Sequence, residues 1–424
     1  MFNTLKNAWR IPDLRKKLLY TLLIIIAFRF GSVVPVPFLN VSALNTLMAS
    51  ANETALGYIN MLTGGAFANA TLFAMGITPY INSSIIIQLL TVAIPALERM
   101  AKEGEEGRKK IAAITRYTTV GLGLIQGTAY YFYLRNNKIT LYNEGFSAVF
   151  TAIIIVLTFT AGTALIMWMG EHITQKGVGN GISIILFAGI VSRGPSLMRT
   201  LVNLFQTGTS GIVSGIAMII VGLAIVVFIV YMSNAERRIP VQYAKRVVGR
   251  KMYGGQSTYI PMKINSTGVM PLILGFAILQ FPATIFAFFP TSGINVWWQG
   301  FQSGIWYQVV LAVLIIAFTY FYTSITFNPV DISKNMQQNG GIIPGIRQGR
   351  ATSDFLSRVS GRLTLFSALF LAVLATIPTM LTRIFGITAP FGASSVLIAV
   401  SVGIETIRQV EAQMVMRHHK GFLG

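Results

Sequence analysis

Few side chains in this sequence are suited to covalent or redox chemistry, and their positions narrow what the chain can be. Cysteine is absent, which removes disulfides and thiolate metal sites. The three histidines, His172, His418 and His419, stand at the margins of apolar segments or in the tail. The apolar segments hold almost no Asp or Glu, the groups an ion-coupled carrier needs. They also lack a polar constellation for a membrane-embedded enzyme. No catalytic, cofactor-binding or metal residue is assigned, and no enzyme activity is expected. No P-loop is present, so nucleotide energy must come from a partner, and Gly121-x-Gly123 lacks the third glycine of a dinucleotide loop. Arg29 is the main charge inside an apolar segment. It is a conceivable ligand site, but reads more simply as an arginine near the outer interface or paired within the bundle. What remains is apolar: Ile77 and Ile81 are four apart, as are Ile182 and Leu186, so each pair shares a helix face. Apolar side chains at a constriction can seal a path by dewetting, without binding anything. By themselves these residues are more simply packing or lipid contacts.

The elements that must carry these residues are membrane helices. Hydrophobic residues make up 53% of the 424 and charged residues only 11%, under half the roughly 25% of a soluble domain. The net charge of +20 alone would fit a nucleic-acid binder, but a mean hydropathy of +0.64 does not. Ten apolar segments are long enough to be read as spans: about 18–37, 64–94 (interrupted), 117–134, 148–170, 180–193, 211–232, 268–289, 304–327, 363–382 and 393–413. The fifth is short and is expected to extend past Arg193. No cleavable leader is read ahead of the first. Alternate connections are basic. Residues 1–17 hold five Lys/Arg, 95–116 six, 171–180 one, 232–264 seven, 328–362 five, and the tail from Glu405 three, together 27 of the 33. By the positive-inside rule both termini are cytoplasmic.

Two segments are broken at matching places. Met61-Leu-Thr-Gly-Gly-Ala-Phe-Ala-Asn-Ala-Thr-Leu-Phe precedes a restart at Gly76-Ile-Thr-Pro-Tyr, so its first piece reads as a re-entrant or half helix, with a kinked ordinary span as the alternative. Gly268 and Pro271 stand where span seven begins. Each break lies in the second of five spans, the mark of an inverted repeat. The expected fold is therefore an all-α polytopic membrane protein. Its ten transmembrane helices form two inverted five-helix halves, 1–205 and 206–424. Two connections, about 233–263 and 328–362, are long for mere linkers. Their basic and aromatic residues suit docking of an acidic protein or RNA phosphate.

Several stretches together resemble the SecY family, the central subunit of the bacterial protein-conducting translocon. They are Phe73-Ala-Met-Gly-Ile-Thr-Pro-Tyr-Ile-Asn-Ser-Ser, Lys102-Glu-Gly-Glu-Glu-Gly-Arg-Lys-Lys-Ile, Gly177-Val-Gly-Asn-Gly-Ile-Ser-Ile-Ile, Glu236-Arg-Arg-Ile-Pro-Val-Gln-Tyr-Ala-Lys-Arg, Gln256-Ser-Thr-Tyr-Ile-Pro-Met-Lys-Ile-Asn and Pro344-Gly-Ile-Arg. The resemblance covers essentially the whole chain. It implies a central pore for unfolded secretory polypeptides and for inserting membrane helices. It implies a plug at about 61–73, including Gly64, Gly65, Phe67 and Asn69. It implies a pore ring of Ile77, Ile81, Ile182, Leu186, Ile273 and Ile398, where Leu186 departs from the family's frequent isoleucine. A lateral gate between spans two and three and spans seven and eight would include Gln88. Lys245, Arg246, Arg250 and Arg347 would dock the ribosome or the SecA motor. SecE and SecG subunits, signal sequences, nascent chains and lipids are the further implied partners, and the bacterial cytoplasmic membrane is the implied location. No cofactor is implied.

Overall fold

The computed structural model describes residues 8–50, 60, 63–206, 209–243, 246–248, 251–253, 257–286, 293–385 and 393–420. In chain order the helices and strands begin with α1 (Pro12–Gly31), α2 (Val41–Ser50), α3 (Thr78–Ala93), α4 (Pro95–Lys102), α5 (Glu105–Asn136) and α6 (Gly145–Lys176). Then come α7 (Gly181–Val191), α8 (Gly194–Gln206), α9 (Thr209–Asn234), β1 (Glu236–Tyr243), β2 (Arg246–Val248), β3 (Lys251–Tyr253) and β4 (Ser257–Lys263). The chain ends with α10 (Met270–Phe286), α11 (Gly293–Ser303), α12 (Ile305–Thr326), α13 (Pro329–Gln338), β5 (Gly341–Ile342), α14 (Arg350–Phe385) and α15 (Ala393–Lys420). Among the described residues, five helical stretches are long and apolar enough to cross a membrane: 145–176, 181–206, 211–234, 305–338 and 350–376. The bent pair α3 and α4 makes a sixth if taken as one span. The remaining expected spans fall on α1, α5, α10 and α15.

Local chemistry sets the helix ends. Pro12 opens α1 with Asp13 in its first turn, where a fixed φ and a negative charge both suit an N-terminus. Asn180 caps α7, its side chain accepting from the Ile182 and Ser183 N–H groups at 3.1 and 3.3 Å. Asn328 caps α13 in the same way, followed by Pro329 at the first helical position. Between α3 and α4 the axis turns by 100°. Pro95 pushes the preceding Ile94 into extended backbone (φ −108°, ψ 115°), so the helix must stop there. Gly268 (φ +63°) and Pro271 mark the start of α10, as the sequence suggested.

The chain forms two compact units. The first comprises Met1–Gly211, Ala277–Ser303 and Ile398–Gly424; the second comprises Ile212–Phe276 and Gly304–Leu397. In the first, α6 and α7 cross closely: a Cβ on Gly181 would lie 1.9 Å from the Gly170 carbonyl oxygen, so only glycine fits there. A second small core gathers Ala8, Leu14, Val178 and Val410 around the start of α1.

Two expectations are corrected. The segment before Ile77 is not a half helix. Residues 64–70 and 72–77 are consecutive turns, and Gly64, Gly65 and Gly76 take φ values of +66°, +92° and +57°, which a right-handed helix excludes. The two long basic connections, read as docking loops, are in large part regular structure with a core of their own. In the second unit they build a three-stranded antiparallel sheet, ordered β4-β1-β5, backed by α13 and the first turns of α14. Ile239 and Val241 point inward while Arg238, Pro240 and Gln242 point out, the period-2 alternation of a half-buried strand. The inward residues join Met262, Met336, Ile343 and Leu356 in one core.

Candidate functional site

The plug candidates lie in the first unit, on a turn-rich segment gripped from three sides. Toward the chain preceding it, the Val36 N–H donates to the Ala70 carbonyl at 3.0 Å and the Leu72 N–H donates to the Val34 carbonyl at 2.9 Å. Phe73 stacks on Phe28 of α1 at 5.6 Å and fills the space over Gly31. Toward α6, Gly162 leaves room for the Leu72 carbonyl oxygen, which an added Cβ would meet at 1.9 Å. Toward α5, Phe67 is fully buried and stacks on Tyr130 at 4.3 Å, while the Tyr130 hydroxyl donates to the Phe67 carbonyl at 2.7 Å. Aromatic pairs of this kind contribute about 0.5–1.5 kcal/mol beyond their area burial. Phe67, Ala68, Ala70, Ala74, Tyr130, Ile155 and Phe159 thereby share one core.

The other plug candidates are held by polar contacts. Gly64 packs so closely on the turn after α7 that an added Cβ would lie 2.5 Å from Ser192 Oγ and 2.7 Å from the Gly189 carbonyl oxygen. Gly65 has open space beside it, so its φ of +92° rather than crowding requires glycine. Asn69 donates to the Gly65 carbonyl at 2.9 Å and accepts from Asn45 at 3.2 Å. Arg29 makes the polar contacts that its sequence position left open. Its guanidinium donates to Ser192 Oγ at 3.2 Å and reaches the Gly64 carbonyl at 3.5 Å.

The six ring candidates share one placement. Ile77 is the N-cap of α3 and its carbonyl accepts the Ile81 N–H at 3.0 Å. Ile182 and Leu186 lie in the first two turns of α7, Ile273 in the first turn of α10, and Ile398 in the second turn of α15. Each is thus fixed at the start of a helix rather than on a loop. Ile77, Leu186 and Ile398 are buried; Ile81, Ile182 and Ile273 are half-buried. Ile182 also packs toward Gly170 of α6. Five of the six belong to the first unit and Ile273 to the second. Gln88 lies on α3 and is exposed.

In the second unit Arg347 is exposed on a turn fixed from several directions. The Ile346 N–H donates to the Ile343 carbonyl at 3.0 Å, and both side chains pack into the sheet core. Gln348 donates to the Gly341 carbonyl, Ser333 to the Gly349 carbonyl and Thr352 to the Arg347 carbonyl. Arg246 begins strand β2, while Lys245 and Arg250 lie outside the described residues. Sequence reasoning missed Arg238 and Tyr259, which sit together on the exposed face of the sheet. The guanidinium of Arg238 lies 4.8 Å from the Tyr259 ring centre and bonds Glu236 at 2.7 Å, which raises its already high pKa. It also missed Tyr130. A tyrosine in an apolar helix needs a partner for its hydroxyl, which was the available signal.

Many apolar helices, a turn-rich segment packed among those of the first unit, and a basic sheet module in the second suit a membrane channel. Residues 71–407 match the SecY family. Over the full length of both chains, the sequence is 42% identical to a protein translocase subunit SecY of Streptomyces scabiei. It is 40% identical to that of Thermotoga maritima, covering all of this chain and 98% of the relative. The chain belongs to the SecY family. Solved structures agree in fold. One described as a protein-conducting channel has a TM-score of 0.69 at 19% identity, over 95% of this chain and 93% of that one. A SecY described by the plug domain that stabilises its closed state gives 0.68 at 18%, over 95% and 92%. Sec61 from a canine ribosome–channel complex gives 0.64 at 19%, over 95% and 93%.

Proposed function

We propose that this chain is the channel subunit through which unfolded secretory polypeptides cross the bacterial cytoplasmic membrane. Membrane helices would leave it laterally into the lipid. The observation that carries the reading is the full-length identity to SecY translocase subunits. The parity of the basic connections supports ten spans with both termini cytoplasmic, and the breaks at matching places support two inverted halves, 1–205 and 206–424. A translocated chain has no fixed side-chain chemistry, so a channel for it is better served by an apolar ring than by specific ligands. Ile77, Ile81, Ile182, Leu186, Ile273 and Ile398 form that ring. They exclude water when the path is empty and close around whatever passes. The segment around Gly64, Gly65, Phe67 and Asn69 is the plug, and the neighbour described as closed by its plug domain supports that role. Gln88 on α3 lies at the lateral gate, where a signal sequence partitions between channel and lipid.

The basic module around Arg347, with Lys245, Arg246 and Arg250 on the β1–β4 connection, docks the ribosome or the SecA motor. The neighbour solved in a ribosome–channel complex supports the ribosome. SecE and SecG complete the assembly. The test is reconstitution of the purified chain with these small subunits in vesicles, supplied with motor, ATP and a signal-bearing precursor. The precursor is expected to become resistant to added protease only in vesicles that contain this chain. Equal protection in vesicles without it would overturn the reading.

A further inference from the structure

We propose that Tyr130 and Arg29 are two latches that hold the 63–77 segment shut, Tyr130 acting as the positioning residue that sets how readily it is released. The proposal rests on reading this segment as the plug. The segment's own hydrogen bonds are those of local turns, such as the Thr71 N–H to the Ala66 carbonyl and the Asn69 amide to the Gly65 carbonyl, and they do not fix where it sits. It has no helix of its own among residues 63–77, and besides three glycines it places Ala70 at φ +43°, a conformation L side chains rarely adopt. Its place against α1, α5 and α7 is therefore set by contacts with them, and breaking such a contact should free it.

The Tyr130 hydroxyl makes the contact placed best to do this. The Phe67 carbonyl that it bonds at 2.7 Å also accepts the Ala70 N–H at 3.0 Å, so one acceptor ties the strained residue to α5. Phe159 of α6 also lies 5.2 Å from the Tyr130 ring, so the ring that stacks on Phe67 is packed against a second aromatic. Both partners are buried, and if the segment left, the hydroxyl would lose this acceptor in a low-dielectric site. A phenylalanine at 130 would fill the same space without making the bond. The second latch acts at the other end of the segment. Arg29 bridges Ser192 Oγ and the Gly64 carbonyl, and Ser192 in turn donates to the Gly189 carbonyl at 2.7 Å. The two contacts tie the segment to α1, α5 and the end of α7.

The missing cysteines make the test direct. Ala68 is buried in the segment, so Ala68→Cys in the otherwise cysteine-free chain reports its release. The labelling rate by a membrane-impermeant maleimide and the idle ion conductance would be measured in vesicles, with Tyr130→Phe and Arg29→Gln added singly. Tyr130→Phe is expected to raise both by about fivefold, as the loss of one buried hydrogen bond implies. It is also expected to let precursors with defective signals pass, while the amount of inserted protein and transport of intact precursors stay unchanged. Arg29→Gln is expected to raise both readouts as well. Wild-type labelling and conductance in Tyr130→Phe would overturn the latch. Ile81→Asn in the same assay separates the two failures. If it leaks while Tyr130→Phe does not, the latch falls and the ring stands; if neither changes, the latch falls and Ile81 leaves the ring as well.

Discussion

Replacing Ile81 with Asn is expected to raise the idle ion conductance of reconstituted vesicles and to admit precursors whose signal sequences are defective. Ile81 sits one turn into α3, its backbone N–H bonded to the Ile77 carbonyl, so its side chain is positioned by a rigid helix start. An apolar constriction stays closed because water in it has no hydrogen-bond partners, and an amide there supplies them. Half-burying an isoleucine is worth roughly 0.8–1.5 kcal/mol, and each 1.4 kcal/mol is a factor of about ten, so the leak should rise several-fold to about tenfold. Ile273→Asn should act in the same direction, because Ile273 has the equivalent place in the first turn of α10. The helices themselves should survive, since Ile81 and Ile273 are only half-buried. Single-channel recording and export of a signal-defective precursor measure the effect. A wild-type leak together with wild-type signal selectivity would remove Ile81 from the ring.

Arg347→Glu is expected to cut motor- or ribosome-driven transport by about tenfold while the protein remains inserted and the small subunits remain bound. The reversal changes the local charge by two on an exposed turn whose backbone is fixed by Ile343, Ile346, Gln348, Ser333 and Thr352. Because the Arg347 side chain itself is exposed, its replacement should leave the sheet core of Ile239, Val241 and Met262 intact. Charges at the rim of an interface act mainly on encounter rate and are screened by salt. The deficit should therefore be largest at low ionic strength and shrink as salt is added. Measuring the initial transport rate against salt, beside direct binding of the motor and of ribosomes, checks this. Unchanged rates at low salt would exclude the turn from the docking surface.

The membrane character of the fold was legible because the signals are long-range and redundant. Hydropathy marked the helices, and the basic connections agreed in parity with the span count. Gly268 and Pro271 announced their break through backbone chemistry that no partner is needed to read. The turn-rich segment was misread because its composition excludes a lipid-facing helix without saying which other shape is adopted. Gly64, Gly65 and Gly76 reach their positive φ at no steric cost, so the glycines allow several turn shapes and do not name the one adopted. The sheet is readable in principle from the alternation of Arg238, Ile239, Pro240, Val241 and Gln242, but the proline within that run argues against a strand. The contacts of Tyr130 and Arg29 join residues 63 and 163 positions apart, and no local pattern reports such pairings.

The central claim is that a polypeptide passes the apolar helix starts and displaces the segment beside them. It is tested most directly by placing a single Cys at Phe67 or Ile81 in the cysteine-free chain and stalling a secretory precursor that carries a thiol-reactive probe partway through. Crosslinks are expected at both positions, and none at an exposed control such as Val227 on α9. Silence at Phe67 and Ile81 while the precursor is demonstrably stalled in the vesicle membrane would contradict the account.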